Sequence, residues 1–199
     1  MNNYDSLNIG VLALQGDFKM HQKQLDKLGV KNCLVKLPEH LEKIDGLIIP
    51  GGESTTMDKL IDRFKLRQPL TDFCSEKPVY GTCAGMILLC KNIEDNQSEV
   101  KPLGLLDIDL VRTGYGRQVF SFEETINADL NGEKVAFKAA FIRAPIISRM
   151  GEQVEKLAVY SNKPILVRQK NILAASFHAE LNDNTTLLEY FLKKILRTN

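Results

Sequence analysis

The sequence lacks an excess of either charge: 26 Lys and Arg stand against 25 Asp and Glu, for a formal net charge of +1. No global field would draw such a chain onto nucleic acid or an anionic membrane, which leaves small molecules and other proteins as expected partners. It also lacks any run near the roughly 18 apolar residues that a membrane span needs. Residues 1–17 show no basic stretch leading into an apolar core, so a soluble, cytoplasmic protein is expected. Internal repeats, low-complexity tracts and interdomain linkers are missing too, and one domain, residues 1–199, is the expectation. The four cysteines, Cys33, Cys74, Cys83 and Cys90, form no C-x-x-C pair and have no His at metal-ligand spacing. That argues against a zinc knuckle and against a disulfide framework. What remains is an ordinary globular composition, 44% hydrophobic and 26% charged, long enough to bury a core of its own.

The chain opens in an α/β rhythm. Asn8 to Leu14 reads as a buried strand, followed by the turn Gln15-Gly16-Asp17 and a helix with Phe18, His21, Leu25 and Leu28 on one face. Gly29 ends that helix. Cys33 to Val35 and Gly46 to Ile49 are the next strands, separated by Pro38-Glu39-His40-Leu41, which is too broken for either periodicity. A helix carries Met57, Leu60, Ile61 and Phe64, and the strand Val79-Tyr80 leads through a glycine turn into the apolar helix Met86 to Leu89. Strand, helix, strand in this order implies parallel pairing. Residues 91–101 read as a polar loop. Beyond it the pattern turns to strands, at Leu105 to Val111, Val135 to Ile142, Val154 to Tyr160, Ile165 to Val167 and Ile172 to Phe177. A mixed sheet with an antiparallel extension fits, closed by a helix from Thr185 to Leu196 with Leu188, Phe191, Leu192 and Ile195 as its stripe.

Two glycine-bearing turns follow strands directly, at the carboxyl edge where open α/β sheets bind ligands. Gly81-Thr82-Cys83-Ala84-Gly85 has the form of a nucleophile elbow with Cys in place of Ser. Its glycines leave room for a sharp strand-to-helix turn, and the free N–H groups of the following helix favour the thiolate. An ordinary thiol is only a few per cent ionised near neutral pH, so such help matters. Cys33, Cys74 and Cys90 read as plain thiols in a strand, near a helix end and in the helix after the elbow. Of three histidines, His21 lies on a helix and His40 in a loop, whereas His178 ends a strand. Glu180, two residues on in extended chain, can sit beside His178 and orient its ring, completing a nucleophile, base and orienter. Pro50-Gly51-Gly52-Glu53-Ser54 can offer backbone N–H groups of Gly51 and Gly52 to a carbonyl oxygen, with that of Ala84 after the nucleophile. By itself P-G-G is a turn signal, and a phosphate cradle is its rival reading. The chain lacks the G-K-[ST] ending of a P-loop.

Together these segments resemble the class I, or triad, glutamine amidotransferases. The likeness extends to Leu12-Ala13-Leu14-Gln15-Gly16, Pro50-Gly51-Gly52-Glu53-Ser54-Thr55-Thr56, Gly116-Arg117-Gln118, Ser121-Phe122-Glu123, Phe141-Ile142-Arg143-Ala144-Pro145 and Ser176-Phe177-His178. These are similar to the family of glutaminase subunits of pyridoxal 5′-phosphate synthase, from about Ile9 to Leu196. Two departures stand out: the family's His-Pro-Glu is His178-Ala179-Glu180 here, and its Arg-Asn-x-Phe-Gly-Arg-Gln is Arg112-Thr113-Gly114-Tyr115-Gly116-Arg117-Gln118.

The resemblance implies an α/β three-layer sandwich of flavodoxin-like form: a mostly parallel central sheet, helices on both faces and a small antiparallel extension. It implies hydrolysis of L-glutamine to glutamate and ammonia by Cys83, His178 and Glu180, without metal or organic cofactor. Gly52, Glu53, Ser54, Arg112, Ile142 and Arg143 would contact glutamine, a guanidinium suiting its α-carboxylate and Glu53 its α-ammonium. Without the resemblance, Arg112 and Arg143 read as solvated charges at strand ends. A tunnel would carry the ammonia to a separate synthase subunit in a hetero-oligomeric complex, whose docking orders the oxyanion loop. That subunit would build pyridoxal phosphate from ribose 5-phosphate and glyceraldehyde 3-phosphate. The alternatives are another cysteine hydrolase on the same fold and a catalytically silent docking or regulatory subunit.

Overall fold

The structure, a computed structural model, describes residues 4, 6–95, 99–112 and 121–196. The motif Gly116-Arg117-Gln118, with Thr113, Gly114 and Tyr115, lies outside the described residues, as does the side chain of Ile195. In chain order the elements are β1 (Asn8–Leu12), α1 (Phe18–Lys27), β2 (Lys31–Val35), β3 (Gly46–Ile49), α2 (Ser54–Arg63), α3 (Arg67–Glu76), β4 (Val79–Thr82), α4 (Ala84–Leu89) and β5 (Cys90–Ile93). They continue with β6 (Leu106–Val111), β7 (Phe122–Leu130), β8 (Glu133–Phe141), β9 (Ile146–Met150), β10 (Glu155–Tyr160), β11 (Lys163–Gln169), β12 (Ile172–Ala175) and α5 (Thr186–Leu196).

The main sheet runs β2-β1-β3-β4-β12-β11-β10-β7-β8. Pairing is parallel from β2 to β12 and antiparallel from β12 outward to β8. The antiparallel part is therefore four strands wide, more than the sequence suggests, because β7 carries a weak pattern. The inner parallel strands β1, β3, β4 and β12 are buried on both faces, as a position between two helical layers requires, whereas the edge strand β2 is partly exposed. Alternate residues of one strand serve opposite layers: Ile48 faces α1 and α5, while Leu47 and Ile49 face α2, α3 and α4. Leu25 of α1 and Leu187, Leu188, Phe191 and Leu192 of α5 cover the first side. Met57, Ile61, Leu70 and Cys74 cover the second, together with a small sheet of β5, β6 and β9. Each such apolar side chain, fully buried, stabilises the fold by roughly 1.5–3 kcal/mol.

Several local expectations are corrected. β1 stops at Leu12, not Leu14, and β12 at Ala175, not Phe177. Residues Pro38–Lys43 wind into a 3₁₀ turn that buries Leu41. Cys90 belongs to β5 and not to the helix before it, and β5 replaces the start of the expected polar loop. Helix α3 and strands β7 and β9 add to the elements read from the sequence.

Candidate active site

The site forms at the carboxyl edge of β1, β3, β4 and β12. β4 ends at Thr82 and α4 starts at Ala84, so Cys83 alone makes the turn. Its φ of 48° and ψ of −103° place it where side chains are rarely found. Two backbone bonds hold that geometry, Cys83 N–H to Ala175 O at 2.8 Å and Ile87 N–H to Cys83 O at 3.2 Å. The flanking glycines are needed for space: a methyl group on Gly85 would stand 2.1 Å from Ile49 O, and one on Gly81 2.7 Å from Leu89 Cδ1. Among the described residues no side chain caps α4, and the Cys83 thiol points toward Ile142 O at 3.9 Å.

Ala175 is in register with Thr82, so the chain beyond β12 leaves the sheet next to the elbow. There His178 exchanges two backbone hydrogen bonds with Ala140 of β8, at 2.8 and 3.1 Å. Its ring is nearly enclosed, and Nδ1 lies 2.7 Å from Glu180 Oε1. Alanine at 179 thus leaves the His178–Glu180 contact intact. Burial works against an imidazolium, yet hydrogen bonding to Cys83 and Glu180 outweighs it and pushes His178 up to about 10. For Glu180, burial favours the neutral acid, but His21 opposite it and the bond from His178 hold the carboxyl well below its usual range. Acceptor and donor therefore favour opposite charges across a short contact.

The Gly51-Gly52 loop lies across the ring. A methyl on Gly51 would fall 2.1 Å from His178 Cε1, so only a residue without a side chain fits. The loop is braced by the turn after β1: Gly51 O accepts from Asp17 N–H at 3.1 Å, and Gln15 Oε1 accepts from Glu53 N–H at 2.7 Å. Gly16 allows this approach with a φ of 93°. Glu53 caps α2, accepting from Thr55 N–H at 2.9 Å and from Thr56 N–H at 2.7 Å. Burial is the largest single influence on this carboxyl and pushes it up, but the Thr56 hydroxyl at 2.6 Å and the two backbone N–H groups together outweigh it and bring the pKa down to about 2. Arg112, at the end of β6, donates to Thr55 Oγ1 at 3.2 Å and stands 3.7 Å from Glu53; its buried Nε has no partner among the described residues.

A cavity of about 270 Å³ joins these pieces, lined by Gly52, Glu53, Ser54, Cys83, Arg112, Ile142, Arg143 and His178 among others. All six residues expected to bind glutamine are on its wall, with Cys83 and His178. Arg143, in the turn after β8, has a φ of 46° and is exposed. Gly51 lies against the His178 ring, Ala84 follows Cys83 at the start of α4, and Glu180 is buried beside His178. Sequence reasoning missed Gln15 and Asp17, which also line the cavity; their position just after β1, at the same sheet edge, was the available signal. It also missed Thr82 and His21, which approach Glu180 from behind. Asp17, His178 and Glu180 offer donor atoms within 4.8 Å of one another, the spacing of a metal site, but His178 Nδ1 is already engaged by Glu180.

The model of the SNO glutamine amidotransferase family matches residues 11–197. Pyridoxal 5′-phosphate synthase subunit PdxT of Fervidobacterium nodosum is 48% identical over 188 residues, spanning 94% of this chain and 96% of the relative. Its counterpart in Thermotoga petrophila is 50% identical over 190 residues, 95% of this chain and 100% of the relative. Among solved structures, a crystal structure of a glutamine amidotransferase superimposes with a TM-score of 0.86 at 43% identity, covering 94% of this chain and 98% of that one. A glutamine amidotransferase from Thermotoga maritima shares the fold at 10% identity, with a TM-score of 0.59 over 96% of this chain and 83% of that one. Among the described residues, no helix is long and apolar enough to cross a membrane.

Proposed function

This chain belongs to the SNO glutamine amidotransferase family, and from that premise we propose that it is the glutaminase subunit of a pyridoxal 5′-phosphate synthase. The observation that carries the catalytic reading is the elbow cysteine and the His178–Glu180 pair meeting at one cavity. Cys83 sulfur attacks the side-chain amide carbon of glutamine, and the carbonyl electrons move onto oxygen. Backbone N–H groups of Gly51, Gly52 and Ala84 receive that charge, a donor of this kind being worth about 2.7–4 kcal/mol in the transition state. The C–N bond then breaks as His178, charged at neutral pH, passes its proton to the departing nitrogen. Water attacks the resulting thioester, His178 takes its proton, and glutamate leaves while Cys83 is restored.

Arg112 supports the substrate assignment, because a partly buried guanidinium on the cavity wall suits the α-carboxylate of glutamine. Glu53, Ser54, Gly52, Ile142 and Arg143 complete the pocket in this reading. One domain carries the whole reaction, and the ammonia passes to a synthase subunit, as the names of the relatives suggest. Four free cysteines suit a reducing compartment, and we place the protein in the cytoplasm.

The test compares ammonia release from glutamine by the complex containing wild type or Cys83→Ala, with mass spectrometry after a glutamine-like electrophile. Release is expected from wild type alone and the label on Cys83. Burial pushes the Cys74 and Cys90 thiols up to about 12, so neither competes. Equal release from both proteins would instead support a silent docking subunit, and turnover of a different amide another cysteine hydrolase.

A further inference from the structure

Glu180 Oε1 is a shared acceptor. His178 reaches it from the cavity side at 2.7 Å, and two more groups close on the same oxygen from behind: Thr82 Oγ1 at 3.4 Å and His21 Nε2 at 3.5 Å. Those two are 3.3 Å from each other. All three side chains are almost fully buried, His21 at 1% exposure, Thr82 at 0% and Glu180 at 1%. His21 comes from α1, one helical turn past Asp17, and its ring packs edge-on against Tyr80 with centroids 6.2 Å apart.

Packing alone is a poor reason for an imidazole here. A leucine or phenylalanine would fill α1's apolar stripe without burying two ring nitrogens, one of which, Nδ1, has no partner among the described residues. A carboxylate only accepts hydrogen bonds, so the nitrogen that faces Glu180 carries the hydrogen. His21 therefore donates into the Glu180–Thr82 pair.

We propose that His21 is a positioning residue of the glutaminase reaction, holding the Glu180 carboxylate, together with Thr82, in the orientation that keeps His178 charged and its Nε2 turned to Cys83. The inference rests on the glutaminase reading above. A carboxylate held by one bond is free to rotate, whereas donors from α1 and β4 fix it from the far side. Burial favours the neutral acid at Glu180, and the N–H that His21 presents to it works the other way, favouring the carboxylate. The charged or titratable groups around the His178–Glu180 pair are Cys83 from the elbow, Asp17 and His21 from the start of α1 and the turn before it, and Tyr80 from β4. With His21 gone, Glu180 grips the imidazolium less firmly, and His178 gives up its proton at lower pH.

Two substitutions separate this role from packing. His21→Phe keeps the ring against Tyr80 and removes the N–H, whereas His21→Gln keeps an N–H donor and removes the ring. Each is assembled with its synthase partner, checked for folding by thermal melting, and assayed for ammonia release from glutamine across pH. His21→Phe is expected to lower kcat about tenfold with KM for glutamine unchanged, and to move the basic limb of the profile about one pH unit toward neutral. His21→Gln is expected to restore both toward wild type. A wild-type limb in His21→Phe, or a displaced one in His21→Gln, would overturn the proposal. Should neither variant fold, Thr82→Val reads the same limb, and no displacement there would overturn it. Absence of ammonia release from the wild-type complex is a different failure: it removes the glutaminase reading and takes this inference with it.

Discussion

The neighbouring strands β3 and β4 each feed a helix through a glycine-bearing turn at the same sheet edge, yet the two helices begin differently. α2 is closed by Glu53, whose carboxylate accepts from the N–H groups of Thr55 and Thr56. α4 begins at Cys83, and among the described residues no side chain caps it. Helix starts normally have their free N–H groups satisfied, so the open one is the exception. The first junction uses its cap to stiffen the loop on which Gly51 and Gly52 ride. In the proposed mechanism the second keeps its donors for an oxygen that acquires charge only during reaction. A binding helix end and a stabilising one thus differ by a single capping side chain.

The largest expected effect lies at the open junction. Cys83→Gly should abolish ammonia release while raising stability by about 1 kcal/mol, because glycine occupies a φ of 48° without strain. Urea midpoints read the gain; no stabilisation would mean that the elbow stores no strain and the two junctions are less unlike than they look. Gly51→Ala comes next. Its methyl group must displace the His178 ring or the loop, and a shift near 1 Å is expected to cost about 10²-fold in kcat. Unaltered turnover would show that the closed junction does not constrain the base.

The smallest effect is expected at the cap itself. Glu53→Ala should lower stability by about 1 kcal/mol at neutral pH, less if solvent screens the half-exposed carboxylate. Its folded pKa of about 2 lies below the ordinary 4.5, so this contribution is full above pH 4.5 and is lost as pH falls through about 2. Denaturation of wild type and variant should therefore differ at pH 7 and converge near pH 2. A constant difference would assign the effect to packing.

The parallel half of the sheet was legible because β1, β3, β4 and β12 are short apolar runs bounded by turns, and α1, α2 and α5 carry clear stripes. β7 was not, since Glu123, Glu124 and Thr125 are exposed and only Ile126, Ala128 and Leu130 carry its alternation. α3 was obscured by Pro69, which a first helical turn tolerates, and by having only Leu70 and Cys74 buried. Cys83 and the Gly51-Gly52 loop could be picked out because each lies within a five-residue pattern, and His178 because it follows a strand and precedes Glu180 by two residues. The bracing contacts were not: Gln15 reaches Glu53 across 38 positions, His21 reaches Thr82 across 61, and Thr82 reaches Glu180 across 98. Pairings that distant exist only once the sheet has aligned its strands, and His21 by itself passes for one more member of a helix stripe.

The paired backbone bonds between His178 and Ala140 tie the outermost strand of the sheet to the chain just beyond β12. The antiparallel ribbon is thereby looped back on itself, and one residue of its outer border, Ala140, holds the backbone of His178. A sequence change anywhere along β7, β8, β10 or β11 that alters the girth of this loop would reach the imidazole without touching the cavity. Slow variants of this protein should accordingly be sought in the ribbon as well as beside the sulfur.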